Sequence, residues 1–171
     1  MERDVAFLSL MTKYYFEIKM AKIRITKKFE FEAGHALYGY DGKCKNIHGH
    51  SYKLWVTVIG TPIENIENVK NGMVIDFGDI KEIVNEYIIK EADHTIFFNG
   101  NSPHKFLAEK LKMEGHRVVL LPYQPTSEML IVDFAHRLQQ YLPSHISLYS
   151  LRLQETESSY AEWYASDNNE I

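Results

Sequence analysis

Residues 23–35, IRITKKFEFEAGH, alternate between two kinds of side chain, and this alternation decides how the rest of the chain is interpreted. The odd-numbered positions are mostly apolar, whereas the even-numbered positions are mostly polar or charged. Successive side chains of a β-strand point to opposite faces of the sheet, so a period of two predicts a half-buried strand. The strand ends at His35, on its apolar face.

A second strand is predicted a short distance downstream. Residues 48–58, HGHSYKLWVTV, repeat the alternation, with His, His, Tyr, Leu, Val and Val at the even positions. Between the two strands, residues 37–46, LYGYDGKCKN, are polar and rich in turn-forming residues, which predicts a loop. We therefore expect two neighbouring antiparallel strands.

Two segments have the spacing of amphipathic helices. Asp76 is a suitable N-cap for the first, which is expected to run to about Lys90. The second follows Pro125, with Thr126 or Ser127 as its N-cap, and ends before Pro143. Their apolar stripes comprise Phe77, Ile80, Ile83, Val84 and Tyr87 in the first helix, and Leu130, Ile131, Phe134, Leu138 and Tyr141 in the second.

The remaining segments complete an α+β pattern. Weaker signals predict a short helix at 105–113 and a short buried strand at 117–121, and alternation returns at 149–155 and continues, with less order, through 160–164. Strands that neighbour one another in sequence favour a small, mainly antiparallel sheet. Its edges favour a homo-oligomer that continues the sheet.

Composition restricts the class of protein. The 171 residues suit one domain, expected at 22–171 after an N-terminal extension at 1–21. A net charge of −4 argues against a nucleic-acid module held by phosphate contacts. The short apolar run near the N-terminus predicts neither an export signal nor a membrane span, and a single cysteine forms no internal disulfide, so we expect a cytoplasmic protein.

Three histidines form the candidate metal site. His48 and His50 lie two residues apart on one strand, so both imidazoles leave the same face. His35 closes the preceding strand on its apolar face, which an antiparallel neighbour would bring beside the other two rings. Three imidazole ligands suit Zn²⁺ and leave a fourth tetrahedral position open, which is typical of a catalytic ion.

The only cysteine, Cys44, lies in the loop before these histidines and has three interpretations. It is a fourth ligand that closes a structural site, a catalytic base or nucleophile beside an open site, or a small buried apolar residue. The flanking Lys43 and Lys45 favour the second, because nearby cations lower the pKa of a thiol. The same lysines are candidates for binding an anionic substrate.

Two carboxylates are further candidates. Asp93 adjoins His94 after the first helix, and a carboxylate beside an imidazole orients the ring and raises its basicity. Glu155 lies on the apolar face of the last strand, where a carboxylate requires a partner such as a ligand with two parallel N–H donors. The alternatives are an ordinary turn for Asp93 and His94, and a solvated strand end for Glu155.

Five motifs together resemble the 6-pyruvoyl-tetrahydropterin synthase and 6-carboxy-tetrahydropterin synthase family. The resemblance covers about residues 22–164, and the Cys-x3-His-Gly-His spacing resembles the carboxy branch. The motifs are FEFEAGH (29–35), CKNIHGHSYKL (44–54), ADHTIFFN (92–99), PTSEML (125–130) and LQETESSYAEW (153–163). Two departures concern the pocket rim: residues 99–124 are longer than in compact members, and SEML replaces Ser-Glu-Asn-Leu.

The resemblance implies a tunnelling fold (T-fold), an antiparallel four-stranded sheet with two helices on one face. Subunits would join into trimeric barrels, and two trimers would stack as a homohexamer with active sites at the subunit interfaces. By motif, Zn²⁺ would be held by His35, His48 and His50. Cys44 would accept a proton and His94 with Asp93 would relay protons; Glu155, Thr126 and Ser127 would contact the pterin, and Lys43 or Lys45 the triphosphate.

The implied reaction belongs to queuosine biosynthesis. A zinc-dependent lyase would convert 7,8-dihydroneopterin triphosphate into 6-carboxytetrahydropterin, acetaldehyde and triphosphate. Two alternatives stay open: elimination of triphosphate to a 6-pyruvoyl product, and a non-catalytic pterin-binding protein with a closed structural zinc site.

Overall fold

The protein folds around one six-stranded sheet. The computed structural model describes residues 10–14 and 21–168. Its strand order is β4-β3-β1-β2-β5-β6. The strands are β1 Ile23–His35, β2 His48–Gly60, β3 Thr95–Asn99, β4 Val118–Leu121, β5 Ile146–Thr156 and β6 Ser159–Tyr164.

The predicted antiparallel pair forms the centre of the sheet. Strands β1 and β2 pair along their full length, from Ile23 opposite Gly60 to His35 opposite His48. Strand β5 pairs antiparallel with β2, and β6 pairs antiparallel with β5. The strands predicted at 149–155 and 160–164 are therefore present, and the first begins at Ile146.

The expected four-stranded antiparallel sheet was wrong, because β3 and β4 add two parallel strands on the other side of β1. Each of them follows a helix, and two parallel strands require such a crossover connection between them. Both strands are short and lack the polar–apolar alternation of the long ones, so their pairing had no clear periodic signal.

Three helices cover the sheet. Helix α1 comprises Phe77–Val84, a π-helical turn at Asn85–Ile89, and Lys90–Ala92; α2 is His104–Met113, and α3 is Ser127–Tyr141. Asp76 caps α1 by accepting from the Gly78 amide. Thr126, rather than Ser127, caps α3.

The helices lie on both faces of the sheet. Apolar side chains of α1 and α3 join the alternating residues of β1, β2 and β5 in the main core. Helix α2 instead packs through Ala108 against Phe98 and Val118. Since Phe97 belongs to the main core and Phe98 does not, α2 covers the opposite face, a helix additional to the two expected on one face.

Most of the predicted N-terminal extension, residues 1–9 and 15–20, lies outside the described residues. Within the described part of the chain, every helix is too short or too polar to traverse a bilayer.

Candidate active site

The three predicted imidazoles meet at one end of the β1–β2 pair. His35 stands opposite His48, and His50 stands opposite Ala33, so all three rings lie on the face covered by α1 and α3. One nitrogen from each ring lies within 4.8 Å of the other two. The His35 ring is buried, at 2% exposure, whereas the other two are partly exposed toward the loop before β2.

Backbone carbonyls determine which nitrogens face the centre of this cluster. The His35 Nδ1 lies 2.6 Å from the Pro125 carbonyl oxygen, and the His48 Nδ1 lies 2.8 Å from that of Asn46. Because a carbonyl only accepts, each Nδ1 donates its proton and each Nε2 of the neutral ring keeps a lone pair. Partners of this kind fix the tautomer of metal-ligating histidines.

The Nε2 atoms of His35 and His48 lie 3.0 Å apart. Since each carries a lone pair and no proton in the neutral ring, neither can donate a hydrogen bond to the other. The Nε2 of His50 is buried, and no hydrogen-bond partner for it lies among the described residues. Burial also lowers the pKa of His35 and of His50, which favours the neutral rings that ligate metal. The residues present therefore fit a divalent cation held by three imidazoles.

Glu155 contacts this cluster directly. Its Oε1 lies 3.5 Å from the Nε2 of His35 and 3.7 Å from that of His50, and it accepts a hydrogen bond of 3.2 Å from the Tyr52 hydroxyl. Burial, followed by Glu155, raises the pKa of Tyr52 well above its usual value, so this hydroxyl keeps its proton and donates. The carboxylate is thus partly buried and held in one orientation, and is not a solvated strand end.

Cys44 lies in the loop that precedes β2. It is half-buried in a 3₁₀ turn at Lys43–Lys45, and it contributes to the raised pKa of Tyr52. Among the described residues, the group that could hold a metal contains the three histidines without Cys44. This geometry favours an open ligand position over a site closed by the thiol. Lys43 and Lys45 are exposed on both sides of it.

Asp93 and His94 contact each other directly after α1. The His94 Nδ1 is 3.0 Å from the Asp93 Oδ1, which also accepts from the Glu32 amide. His94 has a φ of 56°, a conformation that is uncommon outside glycine and is frequent at functional sites. With Gly34, Gly49 and His50 of the histidine cluster, it lines a shallow cavity of about 340 Å³. The candidate group of metal ligands among the described residues does not include His94.

Thr126 and Ser127 begin α3 next to the cluster, because the preceding Pro125 holds His35. Sequence reasoning missed Tyr52 and the two carbonyl partners of the imidazoles. Tyr52 shares the parity of His48 and His50 on β2, a signal that was sufficient to place it beside them. The carbonyls of Pro125 and Asn46 have no side-chain signature, so only the fold reveals them.

Comparison with known proteins agrees with this geometry. The family model described as 6-pyruvoyl tetrahydropterin synthase matches residues 24–166. A protein of Haemophilus influenzae named 6-carboxy-5,6,7,8-tetrahydropterin synthase is 35% identical, over 82% of this chain and 97% of its own. A protein of the same name from Aquifex aeolicus is 30% identical, over 83% of this chain and 98% of its own.

Solved structures show the same fold. An uncharacterized protein from Wolinella succinogenes superposes with a TM-score of 0.70 at 20% identity, over 85% of this chain and 99% of that one. The 6-pyruvoyl tetrahydropterin synthase of Caenorhabditis elegans superposes with a TM-score of 0.60 at 22% identity, over 86% and 98%. With the family match and the sequence relatives, the conclusion is that this chain belongs to the 6-pyruvoyl tetrahydropterin synthase family of lyase-type, pterin-converting enzymes.

Proposed function

We propose that this protein is a zinc-dependent 6-carboxy-5,6,7,8-tetrahydropterin synthase that serves queuosine biosynthesis in the cytoplasm. It would convert 7,8-dihydroneopterin triphosphate and one water molecule into 6-carboxytetrahydropterin, acetaldehyde and triphosphate. The observation that carries the proposal is the cluster of three imidazoles with converging Nε2 atoms and no thiol ligand among the described residues. The names of the sequence relatives support the carboxy product.

The residue types fit this chemistry. Bound Zn²⁺ would hold the hydroxyls of the substrate side chain and make them more acidic. Glu155 accepts the paired N–H donors of the aminopyrimidinone ring, since one carboxylate receives two parallel donors well. Cys44 removes a proton from the side chain of the bound substrate, and His94, oriented by Asp93, returns protons to the ring.

We assign the roles of the remaining site residues from their charge and position. Lys43 and Lys45 flank Cys44 and are exposed, so their ammonium groups can reach the triphosphate as it leaves. Thr126 and Ser127, at the start of α3, meet the pterin edge. We assign catalysis to residues 22–171, assembled as a homohexamer of two trimers, because the family resemblance implies active sites at the subunit interfaces.

The product identifies the activity. The zinc-loaded protein, incubated with 7,8-dihydroneopterin triphosphate, should form 6-carboxytetrahydropterin and acetaldehyde in equal amounts by mass spectrometry. A 6-pyruvoyl product alone would assign it to the sister branch. If the zinc-loaded protein does not turn the substrate over, both enzymatic assignments are wrong.

The variant Cys44→Ala separates an enzyme from a structural zinc protein. A general base contributes about 10²- to 10⁴-fold to a rate, so we expect kcat to fall by at least about a hundredfold while Zn²⁺ content stays unchanged. Ser144→Ala, an exposed small-residue change in the turn before β5, is the matched control. Loss of zinc and thermal stability together in Cys44→Ala would instead indicate a closed structural site.

A further inference from the structure

Gln124 joins the loop that carries Cys44 to the start of α3. Its side-chain amide donates to the Tyr38 carbonyl oxygen at 2.8 Å, and its side-chain oxygen accepts from the Tyr38 amide at 3.2 Å. One side chain thus binds both polar groups of a single backbone residue, as a neighbouring strand would. This pairing fixes both the position and the direction of the loop at Tyr38.

The pairing reaches Cys44 through one further hydrogen bond. The amide of Leu37, the neighbour of Tyr38, donates to the Cys44 carbonyl oxygen at 3.0 Å and closes the loop on itself. The Cys44 backbone is therefore linked to Gln124 through the adjacent residues Leu37 and Tyr38. The adjacent Pro125 supplies the carbonyl that holds His35, so consecutive residues hold the cysteine loop and a proposed zinc ligand.

Strand pairing, hydrogen bonds and ring contacts fix the position of the segment before Gln124. Its strand β4 is paired with β3. Two hydrogen bonds join the beginning of the segment to its end: the Gly100 amide donates to the Leu121 carbonyl oxygen, and the Asn101 side-chain amide donates to the Pro122 carbonyl oxygen. At the N-terminus of α2, the His104 ring lies edge-on to Tyr38 and to Phe98, with centroids 5.3 and 5.1 Å away. The His104 ring thus contacts the Tyr38 side chain, while the Gln124 side chain binds the Tyr38 backbone.

We propose that Gln124 is a positioning residue, and that the segment 100–124 serves to hold the Cys44 loop over the histidine cluster. This inference rests on the proposed function, in which Cys44 is the base. Gln124 touches neither the imidazoles nor the thiol, so it acts through Tyr38. Its loss should affect the placement of the base rather than zinc binding or substrate affinity.

The test compares Gln124→Met, which keeps length and removes both hydrogen bonds, with Gln140→Met on the exposed side of α3, in the zinc-loaded full chain. Cys44 is the only cysteine, so alkylation by iodoacetamide, followed by mass, reports on this loop alone. The loss of two hydrogen bonds should increase the alkylation rate and the amide exchange of residues 36–46 by about tenfold. Gln140→Met should match the unsubstituted protein in both.

Turnover provides an independent readout. We expect kcat of Gln124→Met to fall by about tenfold, with KM and zinc content within about twofold of the unsubstituted protein. Equal loop exchange and alkylation in the two variants would overturn the proposal, as would a parallel loss of zinc and thermal stability, which indicates a merely structural role. If the unsubstituted protein lacks turnover, the proposed function fails, whereas the exchange and alkylation results still decide whether Gln124 holds the loop.

Discussion

The Nδ1 atoms of His35 and His48 each donate to a backbone carbonyl, and this places the lone pairs of both rings toward one point. His50 adds a third buried Nε2 without a partner among the described residues. At the scale of single residues, the site therefore depends on the tautomers of His35 and His48 as well as on the positions of the three rings. An ion at that point would satisfy all three nitrogens at once.

Removal of one imidazole should remove the ion. We expect the purified protein to bind about one Zn²⁺ per chain and His50→Ala to bind it at least about a hundredfold more weakly, because two imidazoles retain too few ligands for a tetrahedral ion. Elemental analysis after dialysis measures the content. His136→Ala, on the exposed side of α3, is the control. Equal zinc content in both variants would contradict the histidine site.

The hydroxyl of Tyr52 gives a prediction about substrate binding. Tyr52→Phe keeps the buried ring and removes the donor that orients Glu155. Because a hydrogen bond to a charged group contributes about 1.5–3 kcal/mol, KM should rise by about tenfold or more, with zinc content and thermal stability little changed. Tyr141→Phe, which is exposed on α3, controls for loss of a hydroxyl. An unchanged KM would show that Glu155 needs no such orientation.

At the scale of elements, an ion-pair network joins α1 to α3. Arg137 of α3 lies 2.7 Å from Glu91 of α1 and 2.7 Å from Asp133 one turn earlier. These two carboxylates raise the pKa of the Arg137 guanidinium against the opposing effect of burial. The network fixes the helix pair that covers the histidine face, and it lies outside the proposed site.

Arg137→Ala should therefore lower stability without changing the product. Discounted for partial exposure, the loss should be about 1–2 kcal/mol in the free energy of unfolding. Lys90→Ala, which removes an exposed pair with Glu86 on α1, should cost less than about 0.5 kcal/mol. Urea unfolding followed by circular dichroism compares the two. Equal losses would show that the network contributes no more than a surface pair.

At the scale of the whole molecule, the proposed site has two halves, the histidine cluster with Cys44 and the Asp93–His94 pair. The histidines lie on the face covered by α1 and α3, whereas His94 lines a cavity together with Gly34, Gly49 and His50 and is 73% exposed. If the halves meet between subunits, each active site combines residues of two chains.

Mixed oligomers test this arrangement. Cys44→Ala and His94→Ala should each be inactive alone, and co-refolding them in equal amounts should restore about a quarter of the wild-type turnover through head-to-tail interfaces. Light scattering should show about six chains per particle, as proposed for two stacked trimers. The absence of recovery in a confirmed mixed hexamer would show that Cys44 and His94 of different chains do not combine in one active site.

The sequence by itself determined the long strands, the cap of α1, and the convergence of His35 with His48 and His50. These features depend on periods of two and 3.6 and on local capping, and both are written in neighbouring residues. The parity of each strand, with β1 and β2 paired antiparallel so that His35 lies opposite His48, places the three imidazoles on one face.

Only the tertiary structure decided the rest. It placed the parallel strands β3 and β4 and packed α2 on the second face. It also joined residues far apart in sequence: Tyr52 with Glu155, Pro125 with His35, and Gln124 with Tyr38. Short buried strands lack a polar–apolar period, and backbone carbonyls have no sequence signature. Such contacts arise from how elements pack around a common core, which local patterns do not specify.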